Sequence, residues 1–244
     1  MRSRLSRPPQ QREEETMTAN IETAVHYRYV EPLLATGRIP NSREVAERLG
    51  VPIEEVQRAL RSLADTHGVV LHTHVCEPWV IHPFSASPTA TWVESGDRGW
   101  WATCMWCACG ITTLVGGDAT IHTRIGGEGE DIDIHVEAGR VRESDLWVHF
   151  AVPPRNAWDC VHHFCATVLP FLSPEDVQTW SERHGIPVGA VAPIAQVMDL
   201  GREWYARHAD PDWRKWTVRE AAEIFRRVGL VGEFWRIPAT EGGF

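Results

Sequence analysis

The spacing of apolar residues changes period twice along this chain: it is helical from Ile21 to Leu63, alternating from Ala119 to Phe150, and helical again beyond Ser173. A chain that segregates its helices from its strands folds as α+β, with an antiparallel sheet and helices at its flanks. At 244 residues with 43% hydrophobic content it can bury a proper core. The helical opening reads as TAVHYRYVEPLLATG, closing at Gly37, then PNSREVAERLG and VPIEEVQRALRSL. Asn41 or Ser42 can cap the second unit and Gly50 ends it, while Ile53, Val56, Leu60 and Leu63 share one face of the third. Followed by Val69-Val70 and LHTHV, these helices describe a helix-turn-helix with the start of a wing, so residues 19–78 are expected to form a winged-helix-like domain.

The segment EPWVIHPFSASPTATWV reads as a linker or lining segment, rich in Pro and aromatics. ATIHTRIGG, DIDIHVEAG and DLWVHFAVPP then read as three strands of one antiparallel sheet. AWDCVHHFC is helix-like and ATVLPFL strand-like. SPEDVQTWSERHG carries Ser173 as cap and Pro174 at the first helical position. VAPIAQVMDLGREWYARH is a further helix, and the Thr217–Glu220 capping box starts another. The chain thus divides into a polar tail over 1–18, expected to be disordered, the 19–78 domain, a core over 79–208 and a helical extension over 209–244, whose Trp213, Trp216 and Trp235 should pack on the body.

The first residues lack the apolar region of a secretory signal, and no stretch approaches the ~20 apolar residues of a membrane span. This points to the cytoplasm and away from a membrane partner. There the six cysteines are kept reduced, and clustered sulfurs read as metal-binding or catalytic. The net charge of −9 argues against nucleic acid as a partner, and so do ten arginines against ten acidic residues over 1–75. Arg58 and Arg61 would be the basic residues of a recognition helix.

Three cysteines fall within six residues, Cys104, Cys107 and Cys109 in WWATCMWCACGITTLVGG. In a helix, the i, i+3 spacing puts Cys104 and Cys107 on one face while Cys109 points away. At the start of that helix the dipole should lower a thiol pKa. Cys160, Cys109 and the pair His162-His163 could enlarge a metal site, but their spacing is not a standard zinc pattern. Asp118 and Asp159 read as turn or cap residues, and Cys76 as buried and inert.

WATC at Cys104, FCATVLPFLSPEDVQTW at Cys165, GAVAPIAQVMDLGREWYARH and PNSREVAERLGVPIEEVQRAL together resemble the organomercurial (alkylmercury) lyase family over residues 20–208. The resemblance makes 79–208 the catalytic core and implies an enzyme that cleaves a carbon–mercury bond by thiolate ligation and protonolysis, giving a hydrocarbon and Hg(II). It implies Cys104, Cys107 and Cys165 as catalytic and metal-ligating residues, with no organic cofactor and Hg(II) as bound product. It also implies an organomercurial or other soft electrophile as substrate, and a small thiol or a mercuric reductase as acceptor of the product. The chain departs from the family at Cys107, which stands where the family's Cys-x-x-Asp has its Asp. A register starting on Cys107 would put Gly110 there, at the cost of a gap of three residues. A thiol can carry a proton and add a third sulfur ligand, but it is not a carboxylate. Two alternatives stay open: a thiol-rich metal-binding or metal-responsive winged-helix protein, holding mercury or another soft metal, and a family member turned to another cysteine-dependent reaction.

Overall fold

The computed structural model describes residues 9–65 and 68–237. The chain opens with α1 (Pro9–Thr36), α2 (Ser42–Leu49) and α3 (Ile53–Asp65). Residues 9–18, expected to be disordered, begin α1: QQREEETM contains good helix formers and no glycine. Residues 1–8 lie outside the described residues. Asn41 caps α2 in a reciprocal capping box with Glu44, and Gly50 closes it at φ +67°. On α3, Val56, Ala59, Leu60 and Leu63 turn inward, as their spacing predicts. Against them lie Val25, Tyr29, Val30 and Leu33 of α1, all buried.

Next come β1 (Val69–Leu71), β2 (Pro78–Ile81), β3 (Phe84–Ser85), β4 (Thr91–Ser95), β5 (Arg98–Ala102), α4 (Met105–Leu114), β6 (Ala119–Arg124), β7 (Asp131–Glu137) and β8 (Arg140–Val141). The strands form one eight-stranded sheet in the order β1-β2-β3-β5-β4-β6-β7-β8, antiparallel at every pair. The segment read as a linker is therefore β2, β3 and the start of β4. Its prolines suggested breaks, but Pro78 is the first residue of a strand and Pro83 sits in the β2–β3 turn, where neither removes a needed ladder bond. The boundary at 78/79 falls inside β2, and Trp100 of β5 donates its Nε1 proton to the Leu33 carbonyl of α1 at 2.8 Å.

The remainder is β9 (Trp147–Phe150), α5 (Val161–Ala166), β10 (Pro170–Phe171), α6 (Pro174–His184), β11 (Ala190–Pro193), α7 (Ile194–Tyr205) and α8 (Val218–Arg227). β9 does not join β6 and β7 as expected. It is the middle of a second sheet, β10-β9-β11. Its Val148, His149 and Phe150 are all buried, so both its faces are covered and alternation could not assign its sheet. Ser173 caps α6 and Thr217 caps α8 with a second capping box.

The extension lies along the body. Trp213 stacks on His26 of α1 at 3.7 Å between ring centroids, Trp216 donates to the Trp204 carbonyl at 3.0 Å, and Trp235 meets Phe150 edge-on. α4 is held between β4 and β5 on one side and α7 on the other. The α4–α7 crossing is close enough to require glycine on both helices. A Cβ on Gly110 would meet the Tyr205 ring at 2.1 Å, and one on Gly201 would meet the Cβ of Cys109 at 2.7 Å. No helix among the described residues is long and apolar enough to cross a membrane.

Candidate active site

Cys104 is the N-cap of α4, in extended backbone with φ −167° and ψ 177°. Its Sγ accepts a hydrogen bond from the Cys107 amide at 3.4 Å, doing for this helix what a Ser or Asp cap usually does. Cys107 thereby sits on the same face, one turn in. Cys165 arrives on α5, and two backbone bonds fix its approach: Met105 N–H donates to the Val168 carbonyl at 3.2 Å, and Val168 N–H to the Cys165 carbonyl at 3.1 Å. The three Sγ atoms lie within 4.8 Å of one another, all buried.

Cys104 and Cys165 line two spaces at once. Outward is a cleft of about 570 Å³ that also touches Trp79, Thr89, Thr103, His162 and Trp180. Inward is a cavity of about 30 Å³ walled by Cys107, His82, Trp106, Phe164, Trp204 and Tyr205. Cys107 lines only the inner cavity. Among the described residues, no carboxylate lines the inner cavity.

Cys107 is the best supported of the three as an anion. Thr103 Oγ1 donates to its Sγ at 2.9 Å, the Tyr205 hydroxyl lies at 3.3 Å, and His82 Nδ1 at 4.0 Å. Burial works against a Cys107 thiolate, yet hydrogen bonds from Cys104, Cys165 and His82 outweigh it and hold its pKa well below that of an ordinary thiol. Cys104 is pushed up, by burial first and then by its neighbours. Cys165 is also pushed up: its hydrogen bond with Cys104 favours the thiolate, but Cys107 and burial prevail. Of the two thiols at the start of this helix, expected to hold a lowered pKa there, Cys107 is the one lowered, through its hydrogen bonds, while at Cys104 burial first and then the neighbouring thiols prevail.

Other sequence candidates lie elsewhere. Cys109 faces α7, and burial pushes its pKa up to about 12. Cys160 is exposed at the N-cap of α5. His163 is exposed as well, and His162 touches the outer cleft. Cys76 is half-buried and donates to the Gln57 carbonyl at 3.4 Å. Asp118 accepts from the Ala138 amide in a turn at 2.7 Å, and the side chain of Asp159 lies outside the described residues. The extension reaches the inner cavity by backing its wall, through Phe225 against Trp106 and Trp204. Sequence reasoning missed Thr103, Tyr205 and His82. Thr103 adjoins the cysteine run, whereas Tyr205 reaches it across 98 positions and no spacing rule links them.

Fold and site together define an α+β protein with a buried three-thiol centre at the floor of a cleft. The alkylmercury lyase family model matches residues 84–206, half of the chain, and the chain belongs to that family of lyase-like enzymes. Alkylmercury lyase of Staphylococcus epidermidis is 27% identical over 184 residues, covering 73% of this chain and 80% of the relative. That of Bacillus cereus is 25% identical over 187 residues, covering 73% and 79%. The solved mercury-bound form of MerB2 superposes with a TM-score of 0.59 at 18% identity, covering 79% of this chain and 99% of that one. At that identity it speaks for the fold.

Proposed function

We propose that the chain cleaves organomercurials, with Cys104 and Cys165 as the sulfurs that take mercury and Cys107 as the group that moves the proton. The observation that carries this reading is the meeting of three buried sulfurs, two of which line both the outer cleft and the inner cavity. Mercury is soft and bonds thiolate strongly, but an alkyl or aryl carbanion leaves only if an acid is placed beside it. The substrate R–Hg–X meets Cys104 first, which forms S–Hg–R and expels X⁻. The Cys104 proton passes to the Cys107 thiolate. Cys107 then gives that proton to the carbon as the C–Hg bond breaks, releasing R–H, while Cys165 bonds mercury and returns its own proton to Cys107. The site ends with Hg(II) between two thiolates and Cys107 as a thiol, neutral overall. A small thiol can then exchange the metal out through the cleft.

In this scheme Cys107 takes the part of the carboxylate that the family resemblance places there. Its lowered pKa keeps it deprotonated at rest, open to the proton that Cys104 gives up as its sulfur bonds mercury. The winged-helix-like form and the domain role of residues 19–78 belong to the same proposal, supported by α1–α3 and the antiparallel β1–β2 pair. The test is multiple-turnover release of hydrocarbon from an aryl- or alkylmercurial with excess small thiol, followed by gas chromatography. Catalytic release that is lost in Cys104→Ala and in Cys165→Ala supports the reading. Stoichiometric mercury capture without hydrocarbon would replace it with a metal-binding role.

A further inference from the structure

A buried site favours guests that leave it without net charge, because an uncompensated charge out of water costs several kcal/mol or more. The three sulfurs are buried, and the inner cavity that all three line has a largely aromatic wall and no carboxylate among the described residues, Glu128 lining only the outer cleft. A divalent ion is matched by two thiolates, which leaves the third sulfur over. A trivalent, sulfur-seeking ion that prefers three ligands on one side of itself is matched by all three.

We infer that Cys104, Cys107 and Cys165 form a binding site for trivalent arsenic, taken up as arsenous acid. This rests on the lyase reading only in that the trio must be open to a soft electrophile, and it uses no carbon–mercury step. As(OH)₃ enters uncharged through the outer cleft, past Cys104 and Cys165. Each thiol forms an As–S bond, and its proton leaves with the displaced hydroxide as water. As(OH)₃ and three thiols therefore give As(S–Cys)₃ and three waters, with no oxidant or reductant. Where Cys107 starts as a thiolate, one proton from solvent completes the balance. Replacing Cys107 with a carboxylate or hydroxyl residue would leave two sulfurs and lose the match. The third thiol thus selects for a three-coordinate guest.

The experiment uses the full, reduced chain and sodium arsenite. Calorimetric titration gives stoichiometry and affinity, arsenic X-ray absorption counts the bound sulfurs, and far-UV circular dichroism checks the fold of each variant. The expected result is one arsenic per chain with three sulfurs. Cys107→Ser should weaken binding by about 100-fold or more, since even an outer partner of a metal is worth 10–100-fold. Cys109→Ala should leave binding unchanged. Absence of uptake, arsenic held by two sulfurs, or equal affinity in Cys107→Ser overturns the inference; if that variant fails to fold, the wild-type sulfur count decides alone. Hydrocarbon release, scored on the same preparation, separates the two readings. Three-sulfur arsenic without release sinks the lyase and keeps this site, and release without arsenic does the reverse.

Discussion

Cys107 and Cys109 stand two residues apart on α4, both buried, and their environments drive them in opposite directions. Cys107 faces a hydroxyl from Thr103, the Tyr205 hydroxyl and His82. Cys109 is pressed against the backbone of α7, with room there only for Gly201. Burial raises the pKa of Cys109 to about 12, and at Cys107 the same burial is outweighed by hydrogen bonds from Cys104, Cys165 and His82. Burial alone makes a thiol inert, while burial with donors makes it a poised acid–base group. The sharpest way to break this comparison is to remove each sulfur in turn. Cys107→Ala should lower hydrocarbon turnover by about 10²–10⁴-fold, the range of a lost general acid–base group, while Cys109→Ala stays within about threefold, as expected for a group that touches no reacting atom. Equal losses in the two variants would end the distinction.

The two glycines of the α4–α7 crossing separate packing from chemistry. Gly110→Ala forces the Tyr205 ring away, and Gly201→Ala pushes on Cys109. Each should cost about 1–3 kcal/mol in denaturant unfolding, as overpacked core sites do. Gly110→Ala should in addition lower turnover per folded molecule, because Tyr205 carries the hydroxyl that faces Cys107. If Gly201→Ala lowers turnover as much, the crossing acts on the site as one rigid body.

Tyr205→Phe removes that hydroxyl and little else. Burial first, and then the charge of Cys107, keep the phenol protonated and so able to donate. Loss of the donor raises the pKa of Cys107 toward the ordinary thiol value of about 8.5. Turnover needs the thiolate, so it falls as pH drops through that pKa, and the acidic limb should move to higher pH in the variant. At neutral pH the loss should be about 10–100-fold, in line with the ~1.5–3 kcal/mol of a hydrogen bond to a charged group. A limb that stays in place would mean that Thr103 and the neighbouring thiols suffice.

Much of this architecture is legible in the sequence because it is local. The caps at Asn41, Ser173 and Thr217 and the stop at Gly50 are set by residues within one helical turn, and the paired face of Cys104 and Cys107 follows from helix geometry. Strands punctuated by proline were hidden, since Pro78 and Pro83 look alike whether they break a strand or bound one. The partner sheet of β9 and the reach of Tyr205 depend on contacts distant in sequence. Which of two neighbouring thiols carries charge depends on donors from β2–β3, α5 and α7, and no local pattern encodes it.

The smallest effect refines the same contrast through stability. Serine in place of cysteine keeps the shape and swaps a tolerant sulfur for a hydroxyl that needs a partner. At position 107 the new hydroxyl would find Thr103 and Tyr205 within reach, so Cys107→Ser should cost under about 1 kcal/mol. At position 109 it meets the close-packed face of α7, where an unsatisfied hydroxyl costs about 1–3 kcal/mol. Urea unfolding of both variants measures the difference. A larger cost at 107 than at 109 would mean that the sulfur of Cys107 holds the fold as well as the proton, and that the two sides of α4 differ less in polarity than their pKa values require.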